Sequence, residues 1–195
     1  GMLMSHKPRI ALAHPFCWPF VRRGAERILH ELSNYFARRG ADVTVISSGP
    51  RGAATPHLGE YQVELYPQPE WTKHAGRYLT DAQWFVKHCL KAFRRPRFDV
   101  VHCLSYYDGF AAAVRKRRLD CPVVLHLLGI PTARYFRRIP HEYLMFRYAL
   151  RKADRVVTVS RFAQESLRRD FRSEEHTSEL QSHSDLVCRL LLEKK

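Results

Sequence analysis

No apolar run in these 195 residues exceeds a few positions. A membrane-spanning helix needs roughly 20, so none is expected. The N-terminus, GMLMSHKPRIALAHPF, has no long apolar stretch ending in small residues, and a secretory signal is not expected either. Cysteine is sparse. The five residues Cys17, Cys89, Cys103, Cys121 and Cys188 lie far apart, without a C-x-x-C pair. That argues against a disulfide scaffold or a zinc ribbon and fits a reducing cytoplasm. Acidic residues are few, 19 against 33 Lys+Arg, which gives a net charge of +14. What is present suffices for a core: 45% of the residues are hydrophobic and 12% aromatic, which excludes global disorder.

The chain changes character at Arg172. Residues 1–171 hold 29 basic and 14 acidic side chains, a net +15, whereas residues 172–195 sum to −1 and contain no aromatic residue after Phe171. The string RSEEHTSELQSHSDLVCRLLLEKK resembles an in-frame translation of a short-read sequencing adapter, with His183-Ser184-Asp185 at its variable index. The resemblance implies a non-native tail over 172–195 and a native domain over 1–171 that is truncated at its C-terminal end. The alternative is a native amphipathic helix carrying Leu186, Val187, Leu190 and Leu191 on one face.

Strand and helix patterns alternate through the first 171 residues. Residues 9–13 read as a short buried strand. GAERILHELSNYFARRG reads as a helix with Ile28, Leu29, Leu32, Tyr35 and Phe36 in one stripe, ended by Gly40. β-Branched residues 42–46 give a strand closed by Ser47-Ser48-Gly49-Pro50, and residues 62–66 a strand ended by Pro67. A helix is expected over about 74–95, carrying Tyr78, Leu79, Trp84, Phe85 and Leu90. Further strands are expected over 98–104, 122–127 and 155–159. Helices are expected over 109–118, 142–152 and 162–169, the last capped by Ser160.

This alternation predicts an α/β, Rossmann-like, doubly wound and mostly parallel sheet with helices on both faces. Ligands of such sheets sit beyond the carboxyl ends of the strands, which directs attention to the loops after Ala13, Leu104, Leu127 and Val159. Three familiar loop motifs are missing: G-x-G-x-x-G after the first strand, G-x-x-x-x-G-K-[ST], and G-x-S-x-G. Their absence counts against dinucleotide enzymes, phosphate-loop NTPases and α/β-hydrolases.

Four segments keep a shared order: G-A-E opening a helix that ends A-R-R-G before D-V-T-V-I-S; F-D-V-V-H-C; P-V-V-L-H-L-L-G; and A-D-R-V-V-T-V-S-R-F. In that order they resemble the N-terminal half of family-4 glycosyltransferases of the GT-B type over nearly all of residues 9–171. The resemblance implies an acceptor-binding Rossmann-like domain. A second such domain, bearing a paired-glutamate motif, would bind the nucleotide-sugar, and transfer would retain the anomeric configuration. Half an enzyme of this kind is expected to be inactive alone. The implied partners are a nucleotide-sugar co-substrate and a glycan or lipid-linked acceptor, with no metal or other cofactor.

The same resemblance places Arg23, Gly24, Ala25 and Glu26 in a phosphate- and donor-proximal loop, with Arg23 where the family usually has glycine. Backbone N–H groups and the dipole at a helix start attract phosphate, although Glu26 also suits an ordinary first turn. His126, at the end of a buried strand, is implied as the catalytic histidine; a satisfied core histidine is the alternative, and is the reading preferred for His102. Asp108, Gly109, Gly129, Ser160 and Arg161 are acceptor-proximal candidates. For Asp108 and Gly109 a helix start, and for Ser160 a cap, compete with that role.

His14 and Cys17 lie close in sequence, yet no second pair completes a zinc site. Tyr135, Phe136, Arg137, Arg138, Leu144, Met145, Phe146, Arg147 and Arg151 suit an anionic membrane surface or an ordinary core helix with solvated arginines. Basic clusters at Arg22-Arg23, Arg94-Arg95, residues 115–118 and Arg137-Arg138 leave a nucleic-acid-binding α/β domain as the competing class. Neither a recognition helix pair nor an aromatic RNA motif accompanies them, so nucleic acid is not the expected partner.

Overall fold

The computed structural model describes residues 6–70, 82–129, 132–171 and 180–182. In chain order its elements are β1 (Arg9–Ala13), α1 (Gly24–Arg38), β2 (Asp42–Gly49), β3 (Gln62–Pro67), α2 (Phe85–Ala92), β4 (Val100–Cys103) and α3 (Tyr106–Val114). There follow α4 (Lys116–Leu119), β5 (Val123–Leu127), α5 (Ala133–Phe136), α6 (Pro140–Lys152), β6 (Arg155–Thr158), α7 (Arg161–Asp170) and β7 (Leu180–Ser182). One parallel sheet holds all the strands in the order β3-β2-β1-β4-β5-β6-β7. This is the α/β, Rossmann-like, doubly wound arrangement that the alternating pattern predicts.

Strand alternation builds two cores. Ala11, Ala13, Val101, Cys103, Leu125 and Leu127 share one cluster with Phe85 and Phe93 around α2, Ala111 and Ala112 of α3, and Phe146 of α6. Leu12, Val43 and Val45 point the other way and pack with Leu29, Ile28, Leu32 and Phe36 of α1. Phe85, Phe93, Phe146 and Phe171 are almost wholly enclosed. Each such side chain contributes roughly 1.5–3 kcal/mol from apolar burial. Phe171 packs against Phe136 and Phe146, so the aromatic core runs to the last residue before the compositional break.

Several boundaries differ from the sequence expectation for identifiable reasons. β2 does not end at Ile46. Ser47, Ser48 and Gly49 continue it, paired with Leu65, Tyr66 and Pro67 of β3. Gly49 marks a close approach rather than a turn, since a Cβ there would lie 2.8 Å from the Phe20 ring. α3 begins three residues earlier than Gly109, because Ser105 caps it and pairs with Asp108 in a capping box. The run 115–118 is broken into the single turn α4, closed by Asp120 in the left-handed region at φ 49°. Of the helix expected over 74–95, the structure describes α2, with Trp84 as its N-cap; Tyr78 and Leu79 lie outside the described residues. Gly40 adopts φ 93°, as the helix stop requires.

The tail expected to stand apart from the fold supplies a strand. Leu180, Gln181 and Ser182 pair with Val156, Val157 and Thr158. The free edge of β6 presents unsatisfied backbone groups to any extended segment that reaches it. The leucines of the alternative tail helix lie outside the described residues.

Candidate functional site

A cavity of about 440 Å3 opens beyond the carboxyl ends of β1, β4 and β5, where the sheet order reverses between β1 and β4. The loop after β1 contributes His14, Pro15, Phe16 and Arg23; the turn after β4 contributes Leu104, Ser105, Tyr106 and Tyr107. Leu127, Leu128 and Gly129 come from the end of β5, and Thr132, Tyr135, Phe136 and Phe146 from α5 and α6. Two backbone bonds splay these loops from a fixed base: Leu104 N–H donates to the Ala13 carbonyl at 2.9 Å and His14 N–H to the Ile46 carbonyl at 3.2 Å.

Arg23 is the only charged residue among the described residues that line the cavity. It is the N-cap of α1. Its guanidinium donates to Glu26 Oε1 at 2.7 Å, its backbone N–H donates to Glu26 Oε2 at 3.2 Å, and it stacks over the Phe16 ring at 5.4 Å. Glu26 is fully buried while the Arg23 side chain is 45% exposed. The carboxylate, favourably placed in the first helical turn, thus anchors the arginine at the rim with N–H groups to spare. A Cβ built on Gly24 meets nothing within 4 Å, so the helix start is open to an incoming group.

The remaining polar side chains of the lining have partners within the protein. His14 Nδ1 is 2.9 Å from the Phe16 carbonyl oxygen. Burial pushes its pKa down, so the ring is neutral. Ser105 Oγ donates to Asp108, and Thr132 Oγ1 accepts from Tyr135 N–H at 3.3 Å. The hydroxyls of Tyr106 and Tyr107 donate to Glu142 at 2.5 and 2.8 Å, and Gln83 Nε2 adds a third donor at 3.0 Å. Glu142 is buried on α6. Burial, with Glu142 as hydrogen-bond acceptor, raises the pKa of both phenols and keeps them protonated. This network was not foreseen from sequence; the adjacent Tyr106 and Tyr107 directly after a strand are the signal that could have pointed to it.

The structure brings Arg23 and Gly129 to the cavity, with Gly24, Ala25 and Glu26 directly behind Arg23. It does not bring the others there. The expected placement of His126 in the cleft is corrected. Side chains alternate along a strand, so Leu127 faces the cavity and His126 faces the opposite, α1 side. There it is fully buried, its Nδ1 3.1 Å from Nε2 of His102. His102 in turn lies against Phe36 of α1. Asp108 is fully buried in the α3 cap, and a Cβ on Gly109 would lie 2.8 Å from Leu125, so both belong to packing at the helix start. Ser160 Oγ accepts from Ala163 N–H at 3.1 Å as the cap of α7; Arg161 is exposed beside it, beyond the cavity lining.

Phe136 and Phe146 are core residues, while Tyr135, Leu144 and the arginines 134, 137, 138 and 151 are exposed. Among the described residues no helix is long and apolar enough to cross a membrane, and no cluster of His, Cys, Asp or Glu is arranged to hold a metal ion. Cys17, Cys89, Cys103 and Cys121 are free. Burial raises the pKa of all four, which keeps them as thiols.

The family model for Glycosyltransferase Family 4 matches residues 22–179. The sequence matches no curated relative. Among solved structures, a sucrose-phosphate synthase from Thermosynechococcus elongatus is similar at TM-score 0.66 and 12% identity, over 90% of this chain and 47% of its own. Anabaena HepE in complex with UDP and glucose is similar at TM-score 0.56 and 18% identity, over 88% and 42%. A trehalose-6-phosphate structure from E. coli bound with UDP-2-fluoro glucose gives TM-score 0.52 and 12% identity, over 81% and 41%. At these identities the likeness is one of fold. The chain spans less than half the length of each of these three structures.

Proposed function

The chain belongs to Glycosyltransferase Family 4, and from that premise we propose that it forms the acceptor-binding half of a retaining transferase. The enzyme moves a sugar from a nucleotide-sugar donor to a glycan or lipid-linked acceptor. The observation that carries this reading is the cavity at the β1–β4 switch point with Arg23 and the open start of α1 on its rim. The UDP and glucose of the similar Anabaena structure and the UDP-2-fluoro glucose of the E. coli one support the donor class.

In the proposed reaction the acceptor hydroxyl oxygen forms a bond to the anomeric carbon. The bond from that carbon to the diphosphate breaks, its electron pair leaves with the phosphate oxygen, and the hydroxyl proton ends on the departing diphosphate. Arg23 and the N–H groups of residues 24–26 stabilise the charge that develops there. Glu26 holds Arg23 in place. Gly129 borders the acceptor from β5, and Ser160 and Arg161, at the end of β6, sit on the acceptor side outside the cavity. His126 receives a structural role. No metal or other cofactor enters the scheme. The exposed arginines near Tyr135 and Leu144 provide peripheral contact with an anionic membrane at the cytoplasmic face.

Because the matched transferases are about twice as long, we assign the donor site to a second domain, residues 172–195 to a non-native tail, and no turnover to these 195 residues alone. The test is the gene. Read from its source past the codon for Phe171, it is expected to continue into a second α/β domain with two glutamates separated by seven residues. A reading frame without such a domain overturns the proposal.

A further inference from the structure

The cavity also constrains what the acceptor is made of. A sugar bound by its hydroxyls needs a ring of donors and acceptors, because each buried polar group that loses water without a replacement bond costs about 1–3 kcal/mol. Among the described residues this cavity offers few. The hydroxyls of Tyr106 and Tyr107 donate to Glu142 and that of Ser105 to Asp108, while Thr132 Oγ1 accepts from the Tyr135 N–H. Apart from His14 and Arg23 at one side, the other described side chains of the lining are aromatic or aliphatic. Its volume of about 440 Å3 lies within the range of ~300–1,000 Å3 usual for small-molecule sites.

Resting on the transferase reading above, we propose that the acceptor is an apolar alcohol or phenol, with an aromatic or prenyl body, rather than a free sugar. Its body enters between Phe16, Leu127, Leu128 and Phe136. Its reacting hydroxyl remains at the mouth beside Arg23, where the donor diphosphate is bound. Removing the apolar body from water drives binding. The aromatic walls set a slot: Phe136 and Phe146 stack at 15°, and Tyr106 meets both edge-on, at 70° and 77°.

The experiment is calorimetric titration of the 195-residue chain with three probes: 2-naphthol, geraniol and maltose. Naphthol or geraniol is expected to bind and maltose is not; the tighter of the first two identifies a planar or a prenyl body. Tyr135→Glu, at an exposed rim position, and Leu128→Glu, at a half-buried one, are expected to weaken the apolar probe by about tenfold or more through lost apolar contact. Both variants are checked for an unchanged circular dichroism spectrum. Binding of maltose in preference to both apolar probes, binding of no probe, or affinity untouched by both substitutions overturns the inference. None of these outcomes bears on whether the gene encodes a donor domain, so the transferase reading stands or falls separately.

Discussion

Nε2 of His102 on β4 and Nδ1 of His126 on β5 stand 3.1 Å apart across neighbouring strands, both enclosed on the α1 side of the sheet. Burial first, and the neighbouring His126 second, push the pKa of His102 down to about 3. On the other side of the sheet Asp108 is shifted the opposite way: burial raises its carboxyl to about 7, against the lowering effect of its bonds to Ser105. The two groups give opposite pH dependences. Between its unfolded value of 6.5 and about 3, His102 binds its proton only when unfolded, so its contribution to stability is lost as pH falls. Between 3.8 and about 7, Asp108 holds its proton only when folded, so its contribution is lost as pH rises.

Asp108→Asn should therefore stabilise the protein increasingly from pH 4 to pH 7, with a slope approaching about 1.4 kcal/mol per pH unit, and change little below pH 4. His102→Asn should show the mirror image, gaining relative to the parent as pH falls below 6.5. Urea melts at half-unit pH steps measure both differences. A difference between Asp108→Asn and the parent that does not vary with pH would show that the carboxyl is not perturbed.

His126→Ala should cost about 2–4 kcal/mol of stability, from the cavity it leaves and the partner it takes from His102. A double-mutant cycle with His102→Ala should give a coupling of roughly 0.5–3 kcal/mol. Binding of the apolar probes by the folded fraction should not change. Lost affinity at undiminished stability would return His126 to the cleft.

Gly24→Val should leave stability nearly unchanged, since a Cβ at that position meets nothing within 4 Å. It should nonetheless weaken inorganic pyrophosphate or UDP at the start of α1, because a branched side chain keeps phosphate from the backbone N–H groups. Arg23→Gln should weaken the same ligands by about tenfold, on the scale of one charge-assisted hydrogen bond, and leave naphthol or geraniol nearly unaffected. Phosphorus NMR titrations of the two variants measure this. Unchanged phosphate affinity in both would remove the loop from the donor site.

Deleting residues 172–195 should shift the melting temperature by no more than a few degrees, because a three-residue edge strand adds little to a sheet whose aromatic core ends at Phe171. Amide exchange at Leu180–Ser182 should be fast in the intact chain. Strong protection there, with unfolding on deletion, would make the segment an integral part of the domain.

The strand–helix alternation was legible because the buried strands are β-branched and short, and Gly40 and Ser160 mark helix ends in the usual way. The start of α1 at Gly24 was legible for a related reason, since a glycine and an acidic residue open the amphipathic stripe, whereas a donor-proximal role for residues 23–26 came from the family resemblance alone. His126 was misplaced because its position near a strand end indicated the cleft, whereas facing is decided by the two-residue period and by which neighbour begins the turn. Glu142 escaped notice because its partners, Tyr106 and Tyr107, lie 36 and 35 residues away and meet it only through the packing of α3 on α6. Ser47 and Ser48 looked like a turn. They are strand because Leu65 and Tyr66 offer them a ladder.

The seam between β1 and β4 sets the order in which the domain assembles. Its clamp, the bond from Arg9 N–H to Asp99 at 2.8 Å, joins positions 90 residues apart. The β1–α1–β2 and β4–β5–β6 segments each close over far shorter spans. Loop-closure entropy grows with the span, and folding slows as contacts become more distant in sequence. The two halves are therefore expected to form before they meet. The cavity takes walls from both, so it exists only after the last step, and a ligand added during refolding finds its place only when the seam has closed.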